Sequence, residues 1–425
     1  MKIKHVRVTP IAVRNPPLLN NGGIYSAYTV RSIIEVEADN GLIGIGETFG
    51  DRMILERLNA VRESLVGLSP FDLNALKKRT QSNTPHPGSE AYRFLPGSWN
   101  GNPTDAKIFG AFEVAFLDLQ ARHLGIPLCE LLGGAVRDEV PFSAYLFFKY
   151  SSESAREVDP EYTENDTWGE VMNPTQLVGE ATRMIDRDGF RSIKLKAGVL
   201  RPEEDVACIK ALKKAFPNHP LRIDTNGGWS LDTARRMAEL MAGDLEYYED
   251  PTPGLGGMSD LHIATGLPLA TNMVVTDFEE FRRNIGLNGV QVILSDHHYW
   301  GGLRATQQLA QMCELFDIGL SMHSNCHLGI SLMVMTHIAA ATPNLTYACD
   351  THYPWFTDDI LQEGRVPIEG GTVAVRDLPG IGVNIDHKAL AELHEQFLRC
   401  GSKGRDDTLQ MRKFKPDWER KKPRF

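Results

Sequence analysis

Seven polar or ionisable side chains recur along the middle of the chain: Lys196, Asp224, Glu249, Asn272, Asp296, His323 and Asp350. Their spacings are 28, 25, 23, 24, 27 and 27 residues, and each stands near the end of a short β-rich run. Asp224, Glu249 and Asn272 offer hard oxygen ligands at three successive run ends. That donor set suits a divalent cation, with Mg2+ favoured because two or three protein ligands leave room for water and substrate. Lys194 and Lys196 are one residue apart on a strand, so both side chains leave the same face. Two ammonium groups beside a metal cation oppose each other's charge. A lysine pKa is therefore expected to fall, making a neutral amine available as a base. His323 ends the seventh run and Asp296 the sixth. A carboxylate on one ring nitrogen orients a histidine and raises its basicity, leaving the other nitrogen for substrate. His327 is four residues on, but no HExxH accompanies it, so it reads as a core histidine. A lysine, a histidine and a metal between them suggest proton abstraction next to a carboxylate. The enediolate so formed needs a metal and cations to hold its charge.

The elements that position these groups follow from the same spacing. A strand, a helix and two short loops need about that length, so a βα unit is repeated. Eight runs (FSAYLF, SIKLKA, LRIDTN, EYYEDP, PLATNM, VQVILSD, GLSMHS and YACDTH) fit an α/β fold, a (β/α)8 TIM-type barrel or its (β/α)7β variant, better than an open sheet. The ends of such strands converge on one face. Ser230 can cap a helix whose apolar face is Ala234, Met237, Leu240 and Met241. Leu303, Thr306, Ala310 and Cys313 repeat that pattern. Residues 1–125 read as an α+β capping domain. Its hairpin turns around Asp39-Asn40-Gly41, and helical patterns lie near 53–66 and 107–124, the second ending at Gly125. Between them, 79–105 is rich in Pro, Gly, Ser and Asn, and is expected to be a lid. The barrel spans 138–389. A polar tail, 390–425, carries the basic run Arg420-Lys421-Lys422 and is expected to pack back onto the first domain.

Composition sets the limits. The chain has 425 residues, 42% hydrophobic and 24% charged, which excludes a disordered chain or a disulfide-stapled miniprotein. The net charge of -10, from 45 basic and 55 acidic residues, argues against a general nucleic-acid or anionic-membrane binder. A few local cations can still receive a small acidic substrate. The six cysteines form no CxxC and read as reduced thiols in a cytoplasmic protein. The start, MKIKHVRVTPIAV, lacks the apolar stretch and cleavage site of a signal peptide, and no segment approaches a membrane span. A zinc-dependent barrel hydrolase would want an HxH motif, which is missing. A non-catalytic sensor with a decayed site would bind its ligand without turnover. A homo-oligomer is expected through the first domain.

With these residues in place, the chain resembles the enolase superfamily, mandelate racemase group, and more specifically bacterial D-glucarate dehydratases. The matching stretches are LDLQARHLGIPLCELLGG, AYLFF, KLKAGVL, NGGWSL, EDP, TGLPLATNM, HSNCH, DTHYPW and GRDD. The resemblance implies Lys196 as one base and His323, supported by Asp296, as the other. It implies that Lys194 holds the substrate carboxylate and that Asp224, Glu249 and Asn272 bind Mg2+. Proton loss would expel the β-hydroxyl, with His323 as acid, giving 5-keto-4-deoxyglucarate. Tyr145, Asn226, Ser324, Asn325, His352, Arg405 and Thr104 would contact the aldarate. Arg405 has its own rationale, since a second carboxylate suits a guanidinium. Two departures stand out. Some members place the second metal carboxylate a few residues beyond EDP; here that stretch has none before Asp260, so Glu249 is the choice and Asp250 the fallback. The family's first-domain histidine is replaced by Tyr25 and Ser26, which bears on substrate choice. Galactarate, L-idarate or an aldonate, by dehydration or epimerisation, are the alternatives.

Overall fold

The computed structural model describes residues 1–82, 103–163 and 168–425. Most of the expected lid, at 83–102, lies outside the described residues. Near the start of the chain, Ile3–Arg14, Tyr28–Ala38 and Ile43–Phe49 form an antiparallel sheet with Tyr28–Ala38 in the middle. The hairpin turns where expected: Glu37 pairs with Ile43, and Gly41 takes φ 83°. The helix Pro103–Leu124 packs on this sheet, and His387–Cys400 packs on Ile3–Arg14, where His394 Nδ1 donates to the Pro10 carbonyl at 2.6 Å.

Seven parallel strands follow in sequence order: Ala144–Phe147, Ile193–Lys196, Leu221–Asp224, Tyr247–Glu249, Leu269–Thr271, Val292–Ser295 and Gly319–Met322. Their register sets the site. Lys196 pairs with Asp224, and Asp224 with Glu249, so the last residues of three strands stand level. The eighth run, YACDTH, forms no strand. It makes one bridge, Phe142 to Cys349, because the turn Tyr353–Trp355 follows too soon for a ladder. That bridge still closes the barrel: Asp350 N donates to Met322 O, and Ser143 N to Cys349 O, both at 2.8 Å.

Helix Leu231–Leu240 starts at Ser230, whose Oγ accepts from Thr233 N. Ala234, Met237 and Met241 are buried, but Leu240 is 51% exposed. Leu240 ends the helix and rotates off the buried stripe. Leu303, Thr306, Ala310 and Cys313 all face the core. The six cysteines are free, and five are buried. Among the described residues, no helix is long and apolar enough to cross a membrane.

Two carboxylates from the first 125 residues cap barrel helices. Helix N-termini present unpaired N–H groups and a positive dipole end, so an acid there is favourable. Glu47, paired with fully buried Arg31 at 2.7 Å, accepts from Leu328 N at 3.0 Å and Ser331 N at 2.9 Å, at the start of Gly329–Ala340. Glu113 accepts from Leu303 N at 2.5 Å, at the start of Leu303–Leu315. Gly302 (φ 99°) lets it approach, since a Cβ there would fall 1.8 Å from Glu113 Oε2.

Burial raises the Glu113 carboxyl from 4.5 to about 8, against the lowering by those N–H donors. Between those two values the folded chain binds one more proton than the unfolded chain, so stability falls as pH rises. Glu113→Gln keeps an acceptor and cannot ionise. Compared with wild type in urea denaturation, it should gain on the order of 2 kcal/mol or more on going from pH 5 to pH 8.

Candidate active site

The strand ends open into a cavity of about 800 Å³ between the barrel mouth, the first sheet unit and the segment after residue 400. Lys196, Asn226, Asn272, His323, Asn325, His352, Tyr145 and Arg405 all line it. These eight expected groups therefore meet despite their separation in sequence, while Asp224, Glu249 and Asp296 stand behind the lining.

At one end lies a buried charge cluster. Lys196 Nζ donates to Asp224 Oδ2 at 2.6 Å, and the Tyr145 hydroxyl donates to the same oxygen at 3.1 Å. The other oxygen, Asp224 Oδ1, accepts from Asn226 N and Nδ2 at 3.0 and 2.9 Å. Lys194 is fully buried behind this wall. Its ammonium bonds Asp350 at 2.6 Å, pairs with Glu249 and lies 3.7 Å from Asp224. It is not among the residues lining the cavity.

The expected fall in lysine pKa is reversed at Lys194. Burial works against its charge, but Asp350, Glu249 and Asp224 outweigh burial and raise it. The counter-charge that reverses the effect of the neighbouring cations is Asp350, 156 residues away in the chain. Burial also opposes the charge of Asp224, yet Lys196 and Lys194 hold it at about 2. Burial, then the charge of Asp224, pushes Glu249 well above the carboxylate range.

The donor set fits a hard cation. Asp224 and Glu249 end adjacent strands in register, and Asn272 Nδ2 lies 3.1 Å from Glu249 Oε1. Glu249 Oε2 is buried and accepts no hydrogen bond among the described residues, so it faces Lys194 as a bare charge contact. A divalent cation would favour the ionised form of Glu249 that burial now disfavours. Asp250 is built differently. Its backbone takes φ 41°, and its carboxylate accepts from Thr271 Oγ1 at 2.6 Å and Asn272 N at 3.1 Å. It fixes the turn that carries Asn272.

At another wall, His323 Nδ1 shares a hydrogen bond of 3.0 Å with Asp296 Oδ2. Asp296 Oδ1 is held by His298 Nδ1 at 2.8 Å, and His298 Nε2 reaches the Glu47 carbonyl at 3.0 Å. Burial opposes the Asp296 charge, but His298 and His323 hold it well below the usual range. Asp296, His297 and His298 could also gather round a metal ion, but both Asp296 oxygens are occupied by imidazoles.

The remaining expected residues divide. Ser324 is buried behind His352, its Oγ accepting from His352 N at 3.3 Å. His352 lies 3.5 Å from the Tyr25 hydroxyl, and burial, then the charges of His323 and Lys196, keeps it neutral. Asn325 donates to the Tyr299 hydroxyl at 3.0 Å and accepts from Arg405 at 3.2 Å. Thr104 is buried in the first turn of Pro103–Leu124 and does not line the cavity. Sequence reasoning missed Lys107, Tyr299, His298 and Arg420. Lys107 lines the cavity 5.2 Å from the Phe49 ring and 5.0 Å from that of Tyr299, and burial lowers it to about 8. Nothing in its helical pattern marks it. His298 had a signal, the doubled histidine directly after Asp296.

His298 and His327 separate bonded from unbonded imidazoles. His327 Nε2 is 3.7 Å from Asp296, beyond hydrogen-bond reach, and neither ring nitrogen has a partner among the described residues. His298→Phe should cost about 1–3 kcal/mol in urea denaturation, whereas His327→Phe should cost under about 1 kcal/mol.

Comparison with known proteins shows the family. A model of the enolase C-terminal domain-like family matches residues 176–389. A probable glucarate dehydratase from Streptomyces coelicolor is 46% identical over 98% of this chain and 97% of its own. An enolase from Pseudomonas fluorescens, crystallised with magnesium, potassium and tartrate, is 57% identical with TM-score 0.96, covering 100% of this chain and 99% of that one. An enolase from Mycobacterium smegmatis complexed with tartrate is 47% identical with TM-score 0.92, covering 100% and 98%. By sequence and by fold the chain belongs to the enolase superfamily, alongside the glucarate dehydratases.

Proposed function

We propose that this hydro-lyase is a Mg2+-dependent dehydratase of a six-carbon aldarate, with D-glucarate its first substrate. The observation that carries the reading is one cavity lined by Lys196 from the second barrel strand and by His323 from the seventh, which Asp296 of the sixth holds from behind, with Asp224, Glu249 and Asn272 on the three strands between. Relatives named as a probable glucarate dehydratase and as enolases crystallised with magnesium or tartrate support the substrate class and the ion.

Lys196, in the neutral-amine form that a divalent cation bound beside it would favour, takes the proton next to the reacting carboxylate. Asp224, Glu249 and Asn272 would hold Mg2+, which would supply positive charge to stabilise the negative charge that develops. Lys194 adds its ammonium from the same cluster. His323, held by Asp296 at Nδ1, presents Nε2 to the β-hydroxyl and donates the proton with which water leaves. The enol product then becomes the 2-keto acid. Tyr145, Asn226, Asn325, His352 and Arg405 orient the hydroxyls and the far carboxylate, with Ser324 fixing the backbone of His352.

A turnover screen tests this, using aldarates and aldonates with detection of the 2-keto acid. D-glucarate should be turned over fastest, with activity lost to EDTA and restored by Mg2+. Preference for an aldonate would reject the aldarate assignment; failure on every acid sugar would reject the dehydratase. His323→Asn should lower kcat for D-glucarate by about 10² or more, since general acid–base positioning contributes roughly 10²–10⁴-fold. Wild-type kcat in that variant would remove His323 from the reaction.

A further inference from the structure

The imidazole behind the His323–Asp296 pair is held on both of its ring nitrogens. His298 is 1% exposed, in the short helix His297–Trp300 that Asp296 caps. Its Nδ1 lies 2.8 Å from Asp296 Oδ1, and its Nε2 lies 3.0 Å from the Glu47 carbonyl oxygen. A carbonyl oxygen can only accept a hydrogen bond, and so can an ionised carboxylate. Asp296 is kept ionised by its neighbours, accepting from His298 N at 2.9 Å besides the two imidazoles. A neutral imidazole has one N–H, so one of its nitrogens would point a lone pair at an oxygen lone pair. Ser331 Oγ, 3.4 Å from Nε2, is farther off than the carbonyl and does not remove that clash. Protons on both nitrogens satisfy both contacts. The Phe49 ring, with its centroid 5.4 Å from that of His298, adds the attraction of an aromatic face for a cation. Two further imidazoles pack against His298, with ring centroids at 4.0 Å for His297 and 4.7 Å for His327. Burial, then the charge of His298, keeps His297 neutral, and burial lowers His327 to about 4. The nearby Arg31 is already paired with the Glu47 carboxylate.

We propose that His298 is a buried imidazolium and a positioning residue of the reaction, acting on His323 through Asp296 and anchored on the Glu47 carbonyl. Its part in the reaction rests on the dehydratase reading; its charge does not. Two consequences follow from the geometry. The first is orientation. With Oδ1 fixed by His298, the Asp296 carboxylate cannot rotate, so Oδ2 stays on His323 Nδ1 and the other nitrogen of His323 is left for substrate. The anchor, Glu47, belongs to Ile43–Phe49, so the first sheet unit holds this wall in place. The second is charge balance. When His323 gives its proton to the departing hydroxyl, the C–O bond breaks with its electron pair on that oxygen, and His323 becomes neutral. A buried carboxylate left without a counter-charge is costly. Asp296 is not left so, because His298 still carries one. His298 itself neither gains nor loses a proton in the step.

Neutron diffraction from perdeuterated wild-type crystals at neutral pH reads the charge directly. Deuterium should sit on both ring nitrogens of His298 and on one each of His297 and His327. Deuterium on a single nitrogen of His298 would overturn the proposal. His298→Asn reads the role in the reaction: it keeps a donor toward Asp296 but has no charge and no reach to Glu47. For D-glucarate its kcat should fall about 10- to 100-fold, the loss expected for a charge-assisted hydrogen bond, with KM changed by no more than about twofold. In D2O, deuterium should still enter recovered D-glucarate next to the reacting carboxylate, since Lys196 takes that proton. Exchange should therefore rise relative to dehydration, whereas a barrel mouth that was merely loosened would slow both together. Wild-type kcat in His298→Asn, or equal loss of exchange and dehydration, would remove the positioning role while leaving the dehydratase standing. A wild-type chain with both deuterons on His298 that dehydrates no acid sugar would uphold the charge and reject the reaction.

Discussion

The structure depends on keeping two ammonium groups and three carboxylates together in one dry place. Lys194, Lys196, Asp224, Glu249 and Asp350 are all buried at the barrel mouth. Removing such charges from water is costly unless each finds a partner of opposite sign, and here the partners come from separate strands. Register is what brings them level: one residue of slip would turn Lys196 and Asp224 to the opposite face of the sheet. The cluster is also unbalanced, three anions against two cations. Glu249 carries that imbalance as a carboxyl pushed toward its neutral form. A bound divalent cation would correct it, so the electrostatic tension and the inferred chemistry have one origin.

Such a cluster needs a rigid frame, and buried acids from the first sheet unit help to supply it. Glu47 and Glu113 reach across to the first turns of two barrel helices. Through the Glu47 carbonyl, His298, Asp296 and His323 form one hydrogen-bonded line into the cavity. The cavity therefore has three contributors. The barrel supplies the reactive groups, the first unit supplies Tyr25, Phe49 and Lys107, and the segment after residue 400 supplies Arg405 and Arg420.

What could be read in the sequence follows that division. The barrel groups were legible because a βα repeat puts one residue per unit on the same rim, so spacing alone aligns Lys196, Asp224, Glu249, Asn272, Asp296 and His323. The hairpin at Asn40-Gly41 and the Ser230 cap were legible because both are local. Contacts across units were not. Nothing near Lys107 announces that it will face Phe49 and Tyr299, and the partner of Lys194 is Asp350, 156 residues away. The eighth run looked like its seven predecessors and lost its ladder to the turn behind it. Leu240 fitted the apolar period but came at the last position of its helix, off the buried stripe.

The position of the cation is the most direct test. In crystals soaked with Mn2+, anomalous scattering should place one ion among Asp224, Glu249 and Asn272. An ion seated instead on Asp296, His297 and His298, or no ion at either place, would contradict the account.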